Sequence, residues 1–241
     1  MSDLHFEHMP DYGASLLESL DPQGADALVL AGDILSFKLP QRALDAFRRF
    51  RDLYGTVFYV PGNHEYYKTS VASGGSLLEE LESAVEGLVV LEAGRAVERF
   101  GRRFLGGTMW FGRHPKDTLY RIALNDFALI EGFTPWVWEQ NRAFVEWLRR
   151  ELREGDLVVT HHLPSMRSTP PIFEGSPINM FFVCDQEQLI EERKPAAWFH
   201  GHTHRPVSYA IGATQVRSNP KGYPKERAAW RGPYAPLLVE I

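Results

Sequence analysis

Five short motifs carry side chains that can bind metal ions or move protons. The first, "SDLH", places Asp3 and His5 one residue apart near the start of the chain. The others are "AGD", "PGNH", "THH" and "GHTH", which supply Asp33, Asn63, His64, His161, His162, His202 and His204. Each motif alone is common, because Asp and Asn are frequent turn residues and a single histidine often makes structural hydrogen bonds. Their combination in one chain predicts a metal centre.

Four of these motifs end runs that are typical of buried β-strands. The runs lie at 25–33, 55–63, 156–162 and 196–204, and an amphipathic helix is predicted over 39–54 between the first two. Open α/β sheets place their sites beyond the carboxyl ends of strands. We therefore expect the side chains that end these runs to meet at one edge.

The remaining patterns predict the elements around this edge. Residues 89–110 alternate around glycine-containing turns and favour a meander, 135–152 favour a helix, 207–218 a hairpin and 235–241 a last strand. A chain of 241 residues with 44% hydrophobic content can bury a full core. We expect a single α/β domain over 1–241, with two sheets and helices outside them.

Composition narrows the classes of function. The chain has 26 Lys and Arg against 31 Asp and Glu, and no basic run that could follow a nucleic-acid backbone, so nucleic acid is not favoured as a partner. No stretch reaches the roughly 20 apolar residues of a membrane span. Cys184 is the single cysteine, which excludes an intrachain disulfide and a thiolate metal cluster. A cytoplasmic location is expected.

The types of ligand limit which metal ions and which reactions we expect. Imidazole, carboxylate and amide groups without sulfur suit manganese, iron or zinc. On an extended segment, His202 and His204 point to the same side. Two ions about 3.5–4 Å apart need a bridging carboxylate, for which Asp33 is the candidate. Two divalent ions with Asp3 and Asp33 leave a formal charge of about +2, which attracts a phosphate ester.

The ordered motifs "SDLH", "GD", "GNHE", "THH" and "GHTH" resemble those of the calcineurin-like metallophosphoesterase superfamily, between Asp3 and His204. The resemblance implies a four-layer α/β/β/α sandwich of two mixed sheets flanked by helices, with two divalent metal ions at the edge of the sheets. It implies one ion held by Asp3, His5, Asp33 and His204. The other would be held by Asp33, Asn63, His161 and His202. His64 would contact the phosphate and protonate the leaving oxygen.

Further stretches resemble a widespread group of bacterial metallophosphoesterases whose natural substrates are mostly unassigned. They include "LGGTMW", "NMFF", "FHGHTHRP" and "SNPKGYPKE". The resemblance places candidate substrate contacts at His162, Trp110, Asn179, Arg205, Asn219 and Tyr223. A structural alternative stays open, in which Trp110 is partly core and Tyr223 shapes a loop.

One position departs from the family pattern. In members that act as protein phosphatases, an Asp three residues after the bridging Asp orients the catalytic histidine, and in purple acid phosphatases a metal-bound tyrosine stands there. This chain has Ser36 at that position. Ser36 argues against both activities, and it leaves open which residue orients His64.

These motifs predict a metal-dependent phosphoester hydrolase that uses metal-bound hydroxide on phosphodiesters or small nucleotide-like phosphates. One alternative is a lipid-linked pyrophosphate hydrolase in which "PINMFFVC" (177–184) forms an apolar lid. A lid would leave Met180, Phe181 and Phe182 facing the cleft, whereas a core segment would bury them. Another alternative is a metal-binding scaffold for a partner protein, which predicts no turnover.

The start of the chain gives the last expectation. In the family, the Asp-x-His pair ends a central strand, but two residues precede Asp3 here, fewer than the roughly five or six of a typical strand. We expect the first strand to be truncated or missing. The corresponding hypothesis is a short apolar segment upstream of Met1.

Overall fold

Short strands and longer helices alternate along the chain in the computed structural model, which describes residues 1–228 and 234–241. The strands are β1 (Leu28–Ala31), β2 (Val57–Val60), β3 (Thr69–Ser70), β4 (Leu88–Val90), β5 (Val97–Arg99), β6 (Arg102–Gly107), β7 (Ile130–Glu131), β8 (Leu157–Thr160), β9 (Ala197–Phe199), β10 (Val207–Ile211) and β11 (Thr214–Ser218). The helices are α1 (Ala14–Ser19), α2 (Pro40–Tyr54), α3 (Val71–Ala84), α4 (Asp117–Tyr120), α5 (Asp126–Leu129), α6 (Phe133–Glu151), α7 (Glu187–Arg193) and α8 (Pro224–Ala228). Among the helices described, none is long and apolar enough to cross a bilayer.

Two sheets lie at the centre of the fold. The smaller sheet has the order β1-β2-β4, and its strands are parallel. The larger sheet has the order β10-β11-β9-β8-β6-β5, with parallel strands in the middle and an antiparallel hairpin at each end. The predicted α/β fold with two sheets and outer helices is confirmed.

The two sheets and the helices outside them form four layers, which pack through apolar side chains. Between the sheets, the rings of Phe58 on β2 and Phe104 on β6 stack with their centroids 3.9 Å apart. Outside the smaller sheet, α2 buries Phe47 and Phe50 against it. Outside the larger sheet, α6 buries one face, as its apolar spacing predicts, with Phe144, Trp147 and Leu148. The contact between Phe58 and Phe104 lies between the two sheets, and the helices cover the outer faces of the sheets.

The run at 89–110 is split between the two sheets, so the predicted meander is wrong. β4 pairs in parallel with β2, whereas β5 and β6 form an antiparallel hairpin at the edge of the larger sheet. The reason is α3, which returns the chain so that β4 runs parallel to β2. Sequence reasoning missed this helix, whose interior contains Gly74 and Gly75, residues of low helix propensity. The Ser70 hydroxyl caps it by accepting a hydrogen bond from the Ser73 amide.

The predicted last strand at 235–241 is also wrong. Residues 234–241 have no regular secondary structure, and about half of the Leu237 and Leu238 side-chain surface is exposed. The Asn219 side chain holds the start of this segment by donating to the Ala235 carbonyl at 3.0 Å. The segment therefore covers part of the molecule without joining a sheet.

The amino terminus lies inside the fold. The Met1 amino group donates to the Val29 carbonyl at 2.8 Å, and the Ala31 amide donates to the Met1 carbonyl at 2.9 Å. Burial lowers the pKa of this amino group to about 5, although Asp3 opposes the shift. Beside Met1, a groove of 590 Å³ lies along β1, an edge strand, and is also lined by residues 236–241.

A segment added upstream of Met1 should stabilise the fold if it pairs with β1 in this groove. We expect an extension of about five residues with alternating apolar side chains to raise the melting temperature. Burying even one apolar side chain is worth about 1.5–3 kcal/mol, which corresponds to at least about 3 °C for a chain of this size. Thermal denaturation measures the change, with a Gly/Ser extension of equal length as the control. Equal melting temperatures for the three chains would show that this groove does not accept a strand beside β1.

Candidate metal centre

Side chains from distant segments converge on a first buried group. The ring nitrogens His5 Nε2 and His204 Nε2 lie 2.9 Å apart. Asp33 Oδ2 lies 3.8 Å from His5 Nε2, and Asp3 Oδ1 lies 3.7 Å from His204 Nε2. One ligand atom from each of the four residues falls within 4.8 Å of the others, which is the spacing of ligands around one cation.

A second group lies on the other side of Asp33. His161 Nε2 is 3.3 Å from Asp33 Oδ1 and 3.1 Å from both Asn63 Oδ1 and His202 Nδ1. Asp33 thus presents Oδ2 to the first group and Oδ1 to the second. This is the arrangement that a bridging carboxylate requires.

Hydrogen bonds to the far side of each ring show which nitrogens face the centre as acceptors. Nδ1 of His5 donates to Glu7 at 3.3 Å, and Nδ1 of His204 donates to Glu226 at 2.7 Å. When both rings are neutral, the two Nε2 atoms that face each other at 2.9 Å are therefore the acceptors. Such hydrogen bonds to ligating histidines are typical of metal sites.

Hydrogen bonds also orient the side chains of the second group. His161 Nδ1 donates to the Ala31 carbonyl at 2.9 Å, so its Nε2 is the acceptor when the ring is neutral. The amide of Asn63 donates to Asp126 Oδ1 at 2.8 Å and to the Tyr67 hydroxyl at 3.0 Å, which turns its Oδ1 towards His161. Acceptors that face each other in a buried site repel unless a proton or a metal ion lies between them. The residues of both groups therefore fit divalent ions.

The backbone at these positions is strained. Five of the predicted ligands have left-handed backbone angles, with φ values of 52° at Asp3, 49° at His5, 55° at Asp33, 73° at His202 and 50° at His204. Such conformations cost about 1–3 kcal/mol each in residues other than glycine and are typical of functional sites. The structure around these residues must therefore offset the cost of these backbone conformations.

Two glycines allow the strand ends to come this close. Gly32, with φ of 82°, lies against the His161 ring, and a Cβ there would collide with that ring. A Cβ at Gly62 would collide with the Asp33 carboxylate. Glu65 then ties the two loops together, because its buried carboxylate accepts hydrogen bonds from the amides of Asp33 and Gly62 at 3.0 and 2.8 Å.

His64 lies at the rim of the first group. Its ring is 4.4 Å from the His5 ring and is 8% exposed. Nδ1 is 3.0 Å from Glu7 Oε1, and Nε2 is 3.0 Å from the Tyr223 hydroxyl. Its backbone amide donates to Asp33 Oδ1 at 2.9 Å. The ring is therefore adjacent to the candidate ligands while its nitrogens contact other residues.

Two of the predicted substrate contacts lie at the centre. The Tyr223 ring packs against the rings of His5 and His204, each with a centroid distance of 4.5 Å. His162 is buried behind His202, with ring centroids 4.3 Å apart. Its Nδ1 donates to the Thr108 carbonyl, and burial together with His161 lowers the pKa of His162 to about 3.

The other predicted contacts have structural partners. Trp110 is 3% exposed and packs against Tyr66, Phe133 and Trp136, as the core alternative predicts. Asn179 is buried and donates to the Phe173 carbonyl at 2.8 Å. Asn219 contacts the Ala235 carbonyl, and Arg205 is exposed. Substrate roles for these four residues stay predictions.

Segment 177–184 forms a wall beside the centre. Phe181 is buried in an aromatic cluster with Phe111 and Phe127, whereas the Phe182 ring lies 4.5 Å from the His202 ring. Hydrogen bonds between Leu163 and residues 182 and 184 fix the segment. A lid would expose all three of its central apolar residues to the cleft, so the burial of Phe181 argues against one.

Three carboxylates around the centre were missed from the sequence. Glu7, Asp126 and Glu226 contact His64, Asn63 and His204, respectively. The only available signals were the positions of Asp126 in "NDF" and Glu226 in "SNPKGYPKE". Nothing in the spacing of Glu7 distinguishes it from an exposed loop residue.

Comparison with known proteins agrees with this geometry. A model of the calcineurin-like phosphoesterase family matches residues 1–206. The chain belongs to this family. This calcineurin-like phosphoesterase is thus a metal-dependent hydrolase of phosphoesters, and the alternative of a scaffold without turnover is not supported.

Similar proteins cover almost the whole of this phosphoesterase. Uncharacterized protein L509 of Acanthamoeba polyphaga mimivirus is 26% identical over 275 residues, covering 100% of this chain and 95% of the relative. Phosphopantetheinyl hydrolase (PptH) from Mycobacterium tuberculosis has a TM-score of 0.77 at 20% identity, covering 97% and 92% of the two chains. TT1561 of Thermus thermophilus has a TM-score of 0.55 at 16% identity, covering 91% and 87%. The two structures show that the fold is shared.

Replacing Asp33 should remove both ions. If each group binds one ion, each loses one oxygen in Asp33→Ala and the negative charge between the ions is removed, so we expect metal content to fall from two ions per chain to none. Elemental analysis of the purified protein after metal loading and desalting measures this. His64→Ala is the control, because it changes a neighbouring residue that is not a predicted ligand, and it should keep both ions. Two ions per chain in Asp33→Ala would show that Asp33 is not the bridge.

Proposed function

We propose that this phosphoesterase hydrolyses phosphodiesters or small nucleotide-like phosphates with two divalent ions, manganese, iron or zinc, at the candidate metal centre. The observation that carries the proposal is the position of Asp33, which presents one carboxylate oxygen to each of two ligand groups beside His64. A cytoplasmic location also stays a prediction.

The charge of the centre favours a phosphate ester. Asp3 and Asp33 are the carboxylates of the two groups, so two divalent ions would leave a net charge of about +2 to attract an anion. When bound, the two ions supply an activated water and offset the charge that develops on the phosphoryl oxygens. The carboxylate of Asp33 would contribute one oxygen to each ligand group, and Asp3, Asn63 and the histidines would complete the two groups.

His64 is placed to give a proton to the leaving oxygen. Its Nε2 lies 3.0 Å from the Tyr223 hydroxyl, which supports hydrogen bonding between this nitrogen and an oxygen atom. The Tyr67 ring packs against the imidazole with a centroid distance of 4.2 Å, and the Tyr223 ring lies 5.9 Å from it. Protonation by a positioned group contributes most when the leaving group is a poor one.

The name of one structural neighbour bears on the class of ester. The name of the M. tuberculosis neighbour describes a phosphopantetheinyl hydrolase. That name supports testing phosphopantetheinyl esters beside simple diesters. A lipid-linked pyrophosphate is less favoured, since Phe181 is buried and only Met180 and Phe182 of the three predicted lid residues are partly exposed.

A substrate panel tests the proposed function. Nitrophenyl monoesters and diesters, pyrophosphates and a phosphopantetheinyl ester are incubated with the protein and manganese, zinc, iron or magnesium. We expect turnover of diesters with manganese, iron or zinc, and none in Asp33→Ala. Turnover confined to pyrophosphates, or equal turnover by Asp33→Ala, would contradict the proposal.

A second experiment tests the role of His64. We expect His64→Ala to lower kcat by about 10²- to 10⁴-fold on a diester with an alkyl leaving group. The loss should be smaller with a nitrophenyl leaving group, which needs less protonation. Steady-state kinetics on the two substrates, with metal content measured in parallel, make the comparison. Equal losses on both substrates, or a lost ion, would assign His64 a different role.

A further inference from the structure

The His64 ring has a hydrogen-bond partner on each nitrogen. The Tyr223 hydroxyl lies at Nε2, and Oε1 of Glu7 lies at Nδ1, each at 3.0 Å. Because a carboxylate accepts, Nδ1 carries a proton, and Nε2 is the nitrogen that faces the cleft. Among the residues that the structure describes, Glu7 supplies the carboxylate within hydrogen-bonding distance of this ring.

Ser36 does not orient His64. Its hydroxyl donates to the Tyr67 carbonyl at 2.9 Å and so holds the residue that follows the short 3-10 turn over His64–Tyr66. The other nearby carboxylates also have different partners. Asp33 accepts from the backbone amide of His64, and Asp126 accepts from Asn63 and Tyr67.

The local backbone explains how Glu7 reaches His64. The left-handed conformation of His5 starts a short 3-10 turn over Phe6–His8. Phe6 is buried in the core, and this anchors the turn with Glu7 over the rim of the centre. Oε1 of Glu7 then contacts Nδ1 of His5 at 3.3 Å as well as Nδ1 of His64. One carboxylate oxygen therefore links a predicted metal ligand to the predicted general acid.

We propose that Glu7 is the positioning residue of His64, in the role that an Asp at the position of Ser36 has in family members that act as protein phosphatases. Glu7 fixes the Nδ1–H form of the ring and aims Nε2 at the leaving oxygen. The same oxygen orients His5, so the carboxylate sets the angle between the first ligand group and the proton donor. This proposal rests on the proposed function of His64.

A double-mutant cycle separates the contact with His64 from the contact with His5. We expect Glu7→Ala to lower kcat by about 10- to 100-fold at saturating metal on the alkyl diester, as for other residues that orient a functional histidine. In the His64→Ala background, the same change should lower kcat less than about twofold, because there is no ring left to position. Glu7→Gln, which keeps an acceptor, should fall between wild type and Glu7→Ala. Ser36→Ala is the matched control and should keep wild-type kcat.

A spectroscopic measurement on the metal-free protein tests the contact without any turnover. In wild type, the Nδ1 proton of His64 should give a resolved, strongly deshielded NMR signal that is absent from His64→Ala. This signal should be lost or shifted upfield in Glu7→Ala and unchanged in Ser36→Ala.

The outcomes distinguish this proposal from the proposed function. Equal loss of kcat from Glu7→Ala in the wild-type and His64→Ala backgrounds, or an unchanged Nδ1 signal, would overturn the role of Glu7. A wild-type protein without turnover of any phosphoester would overturn the proposed function, and the Nδ1 signal would still decide whether Glu7 holds the ring.

Discussion

The carboxylate of Asp33 is the constraint on which the rest of the structure depends. It is 2% exposed and lies between two groups of nitrogen and oxygen acceptors. A buried carboxylate among acceptors is unfavourable unless positive charge surrounds it. The backbone N–H of His64 supplies part of this, and the neighbouring histidine rings and the metal ions that the two groups could hold would supply the rest.

Both sheets must end at the same place for this arrangement to form. β1 and β2 of the smaller sheet lead into Asp33 and Asn63, whereas β8 and β9 of the larger sheet lead into the predicted ligand histidines. The stacked rings of Phe58 and Phe104 set the separation of the sheets. Packing between the sheets thus affects how closely side chains from the two sheets approach each other at the site. The predicted ligands can keep left-handed backbone angles because the chain segments around them are buried.

The sequence predicted the features that depend on short motifs. Strand ends followed by Asp, Asn or His indicated where the side chains would meet, because parallel strands finish at a common edge. Features that depend on tertiary contacts were not predictable in this way. Glu7 reaches His64 across 57 positions of sequence, and Glu226 reaches His204 through a loop. The run at 89–110 was misassigned because periodicity identifies a strand but not the sheet that it joins.

Anomalous diffraction from a crystal of the manganese-loaded protein tests the bridging role of Asp33 most directly. We predict two peaks about 3.5–4 Å apart, with the Asp33 carboxylate between them. One peak should lie within coordination distance of Asp3, His5 and His204, and the other within that distance of Asn63, His161 and His202. A single peak, or two peaks of which only one contacts Asp33, would contradict this account.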